Sequence, residues 1–208
     1  MGMASPYEGL TVHEWAAKTR ELIAAYPLSP DDLVGATLEA WESIFQSSIG
    51  GFYIGKDMFP KPQIMGFFLH ELIPLKLAAR FPGIWRADKA ADEKDLVYTP
   101  DPVFSAEIKT SSHPSQIFGN RSYAQESMKG KKGKSGYYLA VNFEPFVAET
   151  VRPKIVKVRF GWLDHSDWLG QKSATGQQAR LSPQVESQKL LQIHPRVSSF
   201  QASISFSK

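Results

Sequence analysis

The spacing of apolar residues predicts two amphipathic helices near the start of the chain. The first begins after the capping box Thr11-x-x-Glu14. The second begins at Ser29-Pro30, with proline at the first helical position, and its apolar residues keep helical spacing as far as Phe45. Gly50-Gly51 is expected to end it. We expect both helices to pack on a sheet or to form a dimer surface.

A third helix is predicted from Gln63 to about Arg80, opened by Pro62 and bent or split by Pro74. Its residues are apolar nearly all round, a pattern typical of a fully buried helix. Two polar residues interrupt it, His70 and Glu71.

Glu71 needs a partner if it is buried. It could contribute to a polar site, or it could pair with Lys76 or Arg80 on the same helix. His70 is interpreted as a hydrogen-bonded residue of the core or its rim, with a ligand or proton-relay role as the alternative.

The stretch from Ile84 to Thr110 changes to an alternating, strand-like pattern. A short strand at 84–86, a charged loop at 88–93 and two strands at 94–99 and 104–110 predict a three-strand meander. Pro100-Asp101-Pro102 makes the turn of the second hairpin. Asp95 and Glu107 each lie six residues from Asp101, so this turn places them opposite each other.

Lys109 shares a strand face with Glu107, because side chains alternate along a strand. Two opposed carboxylates repel each other unless a cation lies between them, so the pattern favours a divalent metal site. The alternative is a solvated cross-strand Asp–Lys pair. A slip of one residue in the register would turn the two acids to opposite faces.

The rest of the chain predicts further helices and strands around a polar connection. Gly136–Phe143 is typical of a buried strand, and the following segment alternates basic and apolar residues. The expected elements are helix at 115–128, strands at 136–143 and 154–163, loop at 164–181, helix at 182–193, and a terminal strand or tail at 198–208.

Several segments after the hairpin carry side chains of the types that proteins use to contact DNA. A basic, glycine-rich loop at 129–134 suits phosphates, and Gln, Asn and Arg can bond base edges. Solvated loops of the same composition are also common. The candidate DNA-binding residues are Gln116, Asn120, Arg121, Lys129, Lys131, Lys132, Lys134, Gln171, Lys172, Gln177 and Arg180.

Composition changes this picture in two ways. The chain has 208 residues and no cysteine, so thiolate metal sites and disulfides are excluded; with neither a signal peptide nor a membrane-spanning run, we expect a cytoplasmic location. The net charge of +3 is unevenly distributed. Residues 1–108 hold nine Lys/Arg and fifteen Asp/Glu, whereas residues 109–208 hold fifteen and six. A basic half beside an acidic pocket favours an enzyme acting on nucleic acid.

Asp95, eleven residues, and then Glu107-x-Lys109 across a hairpin resemble the PD-(D/E)xK nuclease superfamily. The run EIKTSSHPSQIFGNRSYAQ resembles more narrowly type II restriction endonucleases of the ScaI group. The resemblance implies an α/β fold with a restriction-endonuclease-like core, in which helices flank a central mixed sheet and further helices lie at the N-terminus. We expect one nuclease domain over 1–208, with a helical part at 1–60, a catalytic core at 63–163, and recognition loops and tail at 164–208.

The same resemblance implies a Mg²⁺-dependent endonuclease that cuts double-stranded DNA as a homodimer. Asp95, Glu107 and the carbonyl of Ile108 would hold the metal, Lys109 would act on the attacking water, and Glu71 would supply a further acid. The ScaI-like assignment implies the palindrome AGTACT, cut to blunt ends. The alternatives are a repair or structure-selective nuclease with the same core, and a non-catalytic DNA-binding module.

Overall fold

The computed structural model describes residues 4–125, 133–147, 151–173 and 175–196. The α-helices in this part of the chain are α1 (Val12–Ala24), α2 (Pro30–Phe45), α3 (Pro62–Arg80) and α4 (Pro183–Gln188). The strands are β1 (Ser48–Ile49), β2 (Phe52–Tyr53), β3 (Trp85–Ala87), β4 (Leu96–Tyr98), β5 (Ala106–Ser111), β6 (Phe118–Asn120), β7 (Gly136–Phe143), β8 (Ile155–Leu163), β9 (Trp168–Gly170), β10 (Gln178–Leu181) and β11 (Leu191–His194). Short 3₁₀ turns lie at Pro102–Phe104, Arg121–Ala124 and His165–Asp167.

A six-stranded mixed sheet in the order β11-β8-β7-β5-β4-β3 lies at the centre of the fold. β5 and β7 are parallel and the other neighbours antiparallel, so the predicted β3-β4-β5 meander is confirmed. Every residue of β7 is buried, as its apolar sequence predicts. Helices flank this sheet, and the predicted mixed α/β class is therefore confirmed.

The two N-terminal helices begin where their capping signals predict. Thr11 and Ser29 are the N-caps of α1 and α2, and each heads a capping box. α2 ends at Phe45, however, before Gly50-Gly51. The two glycines instead make the turn of the β1–β2 hairpin with φ of +61° and +87°, a conformation that favours glycine. The prediction that they end the helix was wrong.

α3 is one continuous helix through Pro74 and packs closely on β5. A Cβ on Gly66 would lie 2.6 Å from Thr110 Oγ1, so glycine permits this approach. Only one face is buried, because Ile64, Phe67 and Leu75 on the other face are exposed. The prediction of burial all round was therefore wrong. None of the helices in the described ranges is long and apolar enough to cross a membrane.

A second sheet, β6-β10-β9, occupies the region predicted as helix and loop. Its strands are short, and the alternation in β10 buries Ala179 and Leu181 while exposing Gln178 and Arg180. Gly119 of β6 packs closely against two rings, because a Cβ there would lie 3.1 Å from the Tyr123 ring and 3.2 Å from the Trp168 ring. Such tertiary contacts favour the strand over the helix that the local sequence predicts. Within the described residues, the predictions of helix at 115–128 and loop at 164–181 were wrong.

The predicted last helix, at 182–193, is shorter than expected. α4 ends at Gln188, and the chain then adds β11 to the edge of the central sheet. The segment 198–208, predicted as strand or tail, lies outside the described residues.

Candidate active site

The β4–β5 hairpin has the register that the sequence predicts. Leu96 pairs with Ala106, and one step further along the same register Asp95 faces Glu107. The two acids are 4% and 2% exposed. Asp101 is exposed in the turn, where its Oδ1 accepts a hydrogen bond from the Val103 amide at 3.0 Å. It caps the turn, six residues from Glu107 along the chain.

Contacts with the backbone of β5 and with a side chain of α3 hold Asp95 in place. Its Oδ2 accepts from the Ile108 amide at 2.7 Å and lies 3.0 Å from Nε2 of His70. The hydrogen bond from the imidazole to this carboxylate raises the pKa of His70 above its ordinary value, against the opposing effect of burial. α3 thereby positions the first acid from the helix side of the sheet.

Glu107 is surrounded by hydrogen-bond donors and cations. Its Oε1 accepts from Lys109 Nζ at 2.9 Å and from the hydroxyl of Tyr123, and its Oε2 lies 3.9 Å from Lys94 Nζ. These charges compensate a carboxylate that is almost fully buried. Burial, together with the negative charge of Glu107, raises the pKa of Tyr123, so its hydroxyl stays protonated and donates.

The Lys109 ammonium group links the acid to an open cleft. Besides Glu107, its Nζ contacts the carbonyl oxygen of Ile108 at 3.4 Å and lies 4.6 Å from the centre of the Tyr123 ring. Lys134 Nζ lies 4.3 Å from the same ring. Lys109 and Lys134 therefore both lie against the Tyr123 ring.

Glu71 does not lie where its expected role requires. It is exposed, and within the described residues no ion pair joins it to Lys76 or Arg80. Arg80 instead pairs with Glu39 at 2.7 Å and with Asp32. The expectation that Glu71 is buried was wrong. Consecutive side chains on a helix point about 100° apart, so His70 faces the sheet whereas Glu71 is exposed to solvent.

His70, interpreted first as a core or rim residue, is the α3 side chain that contacts Asp95. This contact agrees with the interpretation of His70 as a hydrogen-bonded residue of the core or its rim. Lys94 and Tyr123 were missed. A lysine directly before the first acid was a usable signal for Lys94. The position of Tyr123 in the site depends on the 3₁₀ turn Arg121–Ala124, which the sequence did not predict.

The hairpin acids and a neighbouring carbonyl form a set of hard oxygen donors. No group of three or more His, Cys, Asp or Glu side chains that could hold a metal occurs in the described part of the chain. Mg²⁺ usually takes only one or two carboxylates and keeps several waters. Asp95, Glu107 and the Ile108 carbonyl therefore fit this ion in donor type.

A cleft of about 570 Å³ opens between Lys109 and the second sheet. Asn120 and Gln178 are cross-strand partners in β6 and β10 and both line it. Lys109, Tyr123, Gln171 and Gln177 complete its polar lining. Of the candidate DNA-binding residues, Asn120, Gln171 and Gln177 are brought together here.

The other candidate DNA-binding residues within the described ranges are not part of the cleft lining. Arg121 donates to the carbonyls of Ser173 and Gly176, so it holds the loop after β9. Gln116 lies in the crossover, where its carbonyl accepts from Asn142. The other residues are Lys172 and Arg180, which are exposed outside the cleft lining, Lys134, which faces the Tyr123 ring, and Lys129, Lys131 and Lys132, which lie outside the described residues.

Comparison with known proteins agrees with this geometry. Residues 5–194 match the family model described as ScaI restriction endonuclease. The chain is also 55% identical over 193 residues to the type II restriction enzyme ScaI of Streptomyces caespitosus, covering 91% of this chain and 85% of that protein. No solved structure matches the chain. The chain belongs to the ScaI restriction endonuclease family, a class of site-specific deoxyribonuclease.

Proposed function

We propose that this protein hydrolyses both strands of DNA at a short palindrome, with Mg²⁺ as cofactor and as a homodimer. The observation that carries the proposal is the pair of buried, opposed acids, Asp95 and Glu107, with Lys109 beside them at the mouth of a cleft. Three charged groups converging on one point are of no use to a protein that only binds DNA. They are what phosphodiester hydrolysis needs.

Asp95, Glu107 and the Ile108 carbonyl are the groups that would hold Mg²⁺. When bound, the ion would polarise the scissile phosphate and lower the pKa of a coordinated water. His70 and the Ile108 amide orient Asp95, since both bond the same oxygen, Oδ2. Such supporting partners fix the direction of a ligand and tune its basicity.

Lys109 is the residue that would act on the phosphate and on the attacking water. Its ammonium group is held at Glu107 Oε1 and faces the cleft, so it lies where a phosphate would approach. There the ammonium stabilises negative charge that develops on the phosphate oxygens and can orient the attacking water, whereas only the neutral amine, after it has released its own proton, could take the proton of that water.

The second sheet is the proposed element for reading bases. Asn120, Gln171, Gln177 and Gln178 present carboxamides in the cleft, and an Asn or Gln amide matches the N6 and N7 positions of adenine. Because β6 follows directly from the strand that bears Glu107 and Lys109, reading and cutting share one short segment. The palindrome AGTACT, implied by the resemblance, contains adenines and is the site we propose.

The test is digestion of a plasmid of known sequence with purified protein, with and without Mg²⁺, followed by sequencing of the ends. We expect discrete fragments with blunt ends inside AGTACT, only when Mg²⁺ is present. The matched control is Glu107→Ala, which removes one carboxylate and should abolish cutting.

Other outcomes identify the alternatives. Nicks at random positions or cuts at junctions would indicate a structure-selective nuclease. Binding without any cleavage in Mg²⁺ would indicate a DNA-binding module and overturn the proposed activity. Discrete cuts at another palindrome would keep the activity and reject AGTACT.

A further inference from the structure

The hydroxyl of Tyr123 makes a polar contact between the second sheet and the central sheet, which also pack together through Trp168 and Tyr138. It donates a hydrogen bond to Oε1 of Glu107, the same oxygen that accepts from Lys109. Tyr123 is not on the central sheet, however. It lies in the 3₁₀ turn Arg121–Ala124, directly after β6 of the second sheet.

The ring of Tyr123 is held firmly within the second sheet. It packs against Trp168 of β9 with ring centres 5.2 Å apart, and a Cβ on Gly119 of β6 would lie 3.1 Å from it. Tyr123 is 8% exposed. A ring clamped in this way cannot shift without a matching shift of β6 and β9.

The same strands carry the amides of the cleft. Asn120 immediately precedes the turn that bears Tyr123, and Gln178 is its cross-strand partner. Tyr123 and Lys109 both line that cleft. If DNA displaced these amides, the displacement would therefore reach the Tyr123 hydroxyl through a few covalent bonds and packed side chains.

We propose that Tyr123 is a positioning residue that fixes the Glu107 carboxylate for the metal and couples its orientation to base reading by the β6–β10 strands. The proposal rests on the proposed function of the same site. The hydroxyl and Lys109 bind one oxygen of Glu107, and this sets the direction of the other, Oε2. When the amide-bearing strands are displaced by a wrong base, the hydroxyl moves and Glu107 loses that orientation.

The ring of Tyr123 alone cannot position the Glu107 carboxylate, since only the hydroxyl reaches Glu107. The cation–ring contacts of Lys109 and Lys134 would survive its removal. Tyr123→Phe is thus a narrow test, because it deletes one oxygen and leaves the packing in place.

The experiment compares wild type, Tyr123→Phe and the control Tyr137→Phe. Tyr137 lies on β7, and its hydroxyl points to the Leu22 carbonyl of α1 instead of the site. Two quantities are measured: the affinity for Ca²⁺ by calorimetry in the presence of AGTACT duplex, which needs no cleavage, and the Mg²⁺ dependence of cutting of AGTACT and single-mismatch duplexes.

We expect Tyr123→Phe to weaken Ca²⁺ binding and to raise the half-maximal Mg²⁺ concentration about 10–100-fold, as for other supporting groups of metal ligands. The ratio of cutting at AGTACT to cutting at mismatched duplexes should fall by about 5-fold or more. Tyr137→Phe should change neither quantity. Melting temperatures of all variants establish that they are folded.

A second variant keeps the hydroxyl and moves the ring. Gly119→Ala places a methyl group against the Tyr123 and Trp168 rings, so it should lower metal affinity and discrimination in the same direction. Unchanged Ca²⁺ affinity and Mg²⁺ dependence in Tyr123→Phe would overturn the proposal, even if Gly119→Ala were impaired. Failure of wild type to cut would instead overturn the proposed function, so the two failures are distinguishable.

Discussion

At the scale of single residues, Lys109 separates chemistry from binding. Its Nζ contacts Glu107 and the Ile108 carbonyl, but it supplies no metal-ligating oxygen. Lys109→Ala should therefore leave DNA affinity in Ca²⁺ nearly unchanged and lower the single-turnover cleavage rate by about 10²–10⁴-fold. Rapid-quench kinetics and a binding assay on the same variant measure the two effects.

The matched variant for Lys109→Ala is Glu107→Ala, which removes a proposed ligand. It should abolish cutting, and it should also raise metal-free affinity for DNA because it removes a buried negative charge near the phosphate. If Lys109→Ala cut at nearly the wild-type rate, the strand would be a structural ion pair and the mechanism would be wrong.

His70 provides a titration test in the metal-free protein. Its hydrogen bond to Asp95 raises its pKa above the ordinary 6.5, so the folded state binds the proton more tightly than the unfolded state. The contribution of the His70–Asp95 pair to the free energy of unfolding should be fully present below about pH 6.5. It should be lost as the pH rises through the pKa of His70 in the folded protein. An NMR titration of the imidazole protons measures that pKa.

Asp95→Asn is the control for the His70 titration. It removes the charge of the partner, and burial alone lowers the pKa of a histidine. The His70 pKa should then fall below its wild-type value. An identical titration curve in both proteins would show that the imidazole and the carboxylate are not paired in solution.

The sequence predicted the register of the β4–β5 hairpin correctly because its geometry is local. The register of Asp95 against Glu107 follows from counting residues about a proline-rich turn, and Leu96 opposite Ala106 confirms it. The choice between His70 and Glu71 depended on how α3 is rotated against the sheet. That rotation is set by tertiary contacts such as Gly66 on Thr110, which no local pattern contains.

At the scale of elements, the sequence predicted those with strong periodicity and missed those made by pairing. α1, α2, α3, β7 and β8 appear at the predicted places. The strands of the second sheet are three or four residues long, too short for periodicity to distinguish them from loop. Their stability comes from partners distant in sequence, such as Gln178 against Asn120.

The packing of α1 and α4 on β8 requires a glycine at 161. A Cβ there would lie 2.0 Å from the Lys189 backbone carbonyl and 3.0 Å from Thr19 Cγ2, and a backbone atom cannot move aside by rotating. Gly161→Ala should lower the free energy of unfolding by about 3 kcal/mol, at the upper end of typical overpacking costs. Urea unfolding followed by tryptophan fluorescence measures it.

Gly170→Ala is the matched control in β9. A Cβ at this position meets Ala124 and Arg121 at 3.5 Å, an ordinary contact distance. This substitution should change stability by less than about 1 kcal/mol. Equal destabilisation by both variants would contradict the close contact between Gly161 and the end of α4.

At the scale of the whole molecule, charge is distributed to suit a polyanion. Residues 109–208 carry fifteen Lys/Arg and six Asp/Glu, and they include the second sheet and the basic sequence segment 129–134, which was predicted as a loop. Replacing Lys131 and Lys132 with Ala should weaken binding to all DNA sequences alike. It should also reduce the slope of log affinity against log salt by about 0.9 for each phosphate that the loop no longer neutralises.

The control for this loop is a pair of lysines in the acidic half. Lys56→Ala with Lys61→Ala removes the same charge from exposed positions outside the basic half. It should leave the salt slope nearly unchanged. Equal slopes in wild type and in the 131/132 variant would mean that the loop does not touch phosphate.

Cutting both strands of a palindrome needs two active sites related by the two-fold axis of the DNA, and the described chain supplies one Asp95–Glu107–Lys109 set. In a mixed dimer of wild type and Glu107→Ala, one site should cut its strand while the other stays inactive. Wild type is therefore co-refolded with excess Glu107→Ala so that the subunits exchange, and the mixture is incubated with supercoiled plasmid. The nicked circle should accumulate before any linear form. Wild type alone at the same active-subunit concentration should give mainly the linear form. Linear product from the mixture without a nicked intermediate would contradict a dimer with one site per strand, and sedimentation of the DNA-bound protein as a monomer would contradict it independently.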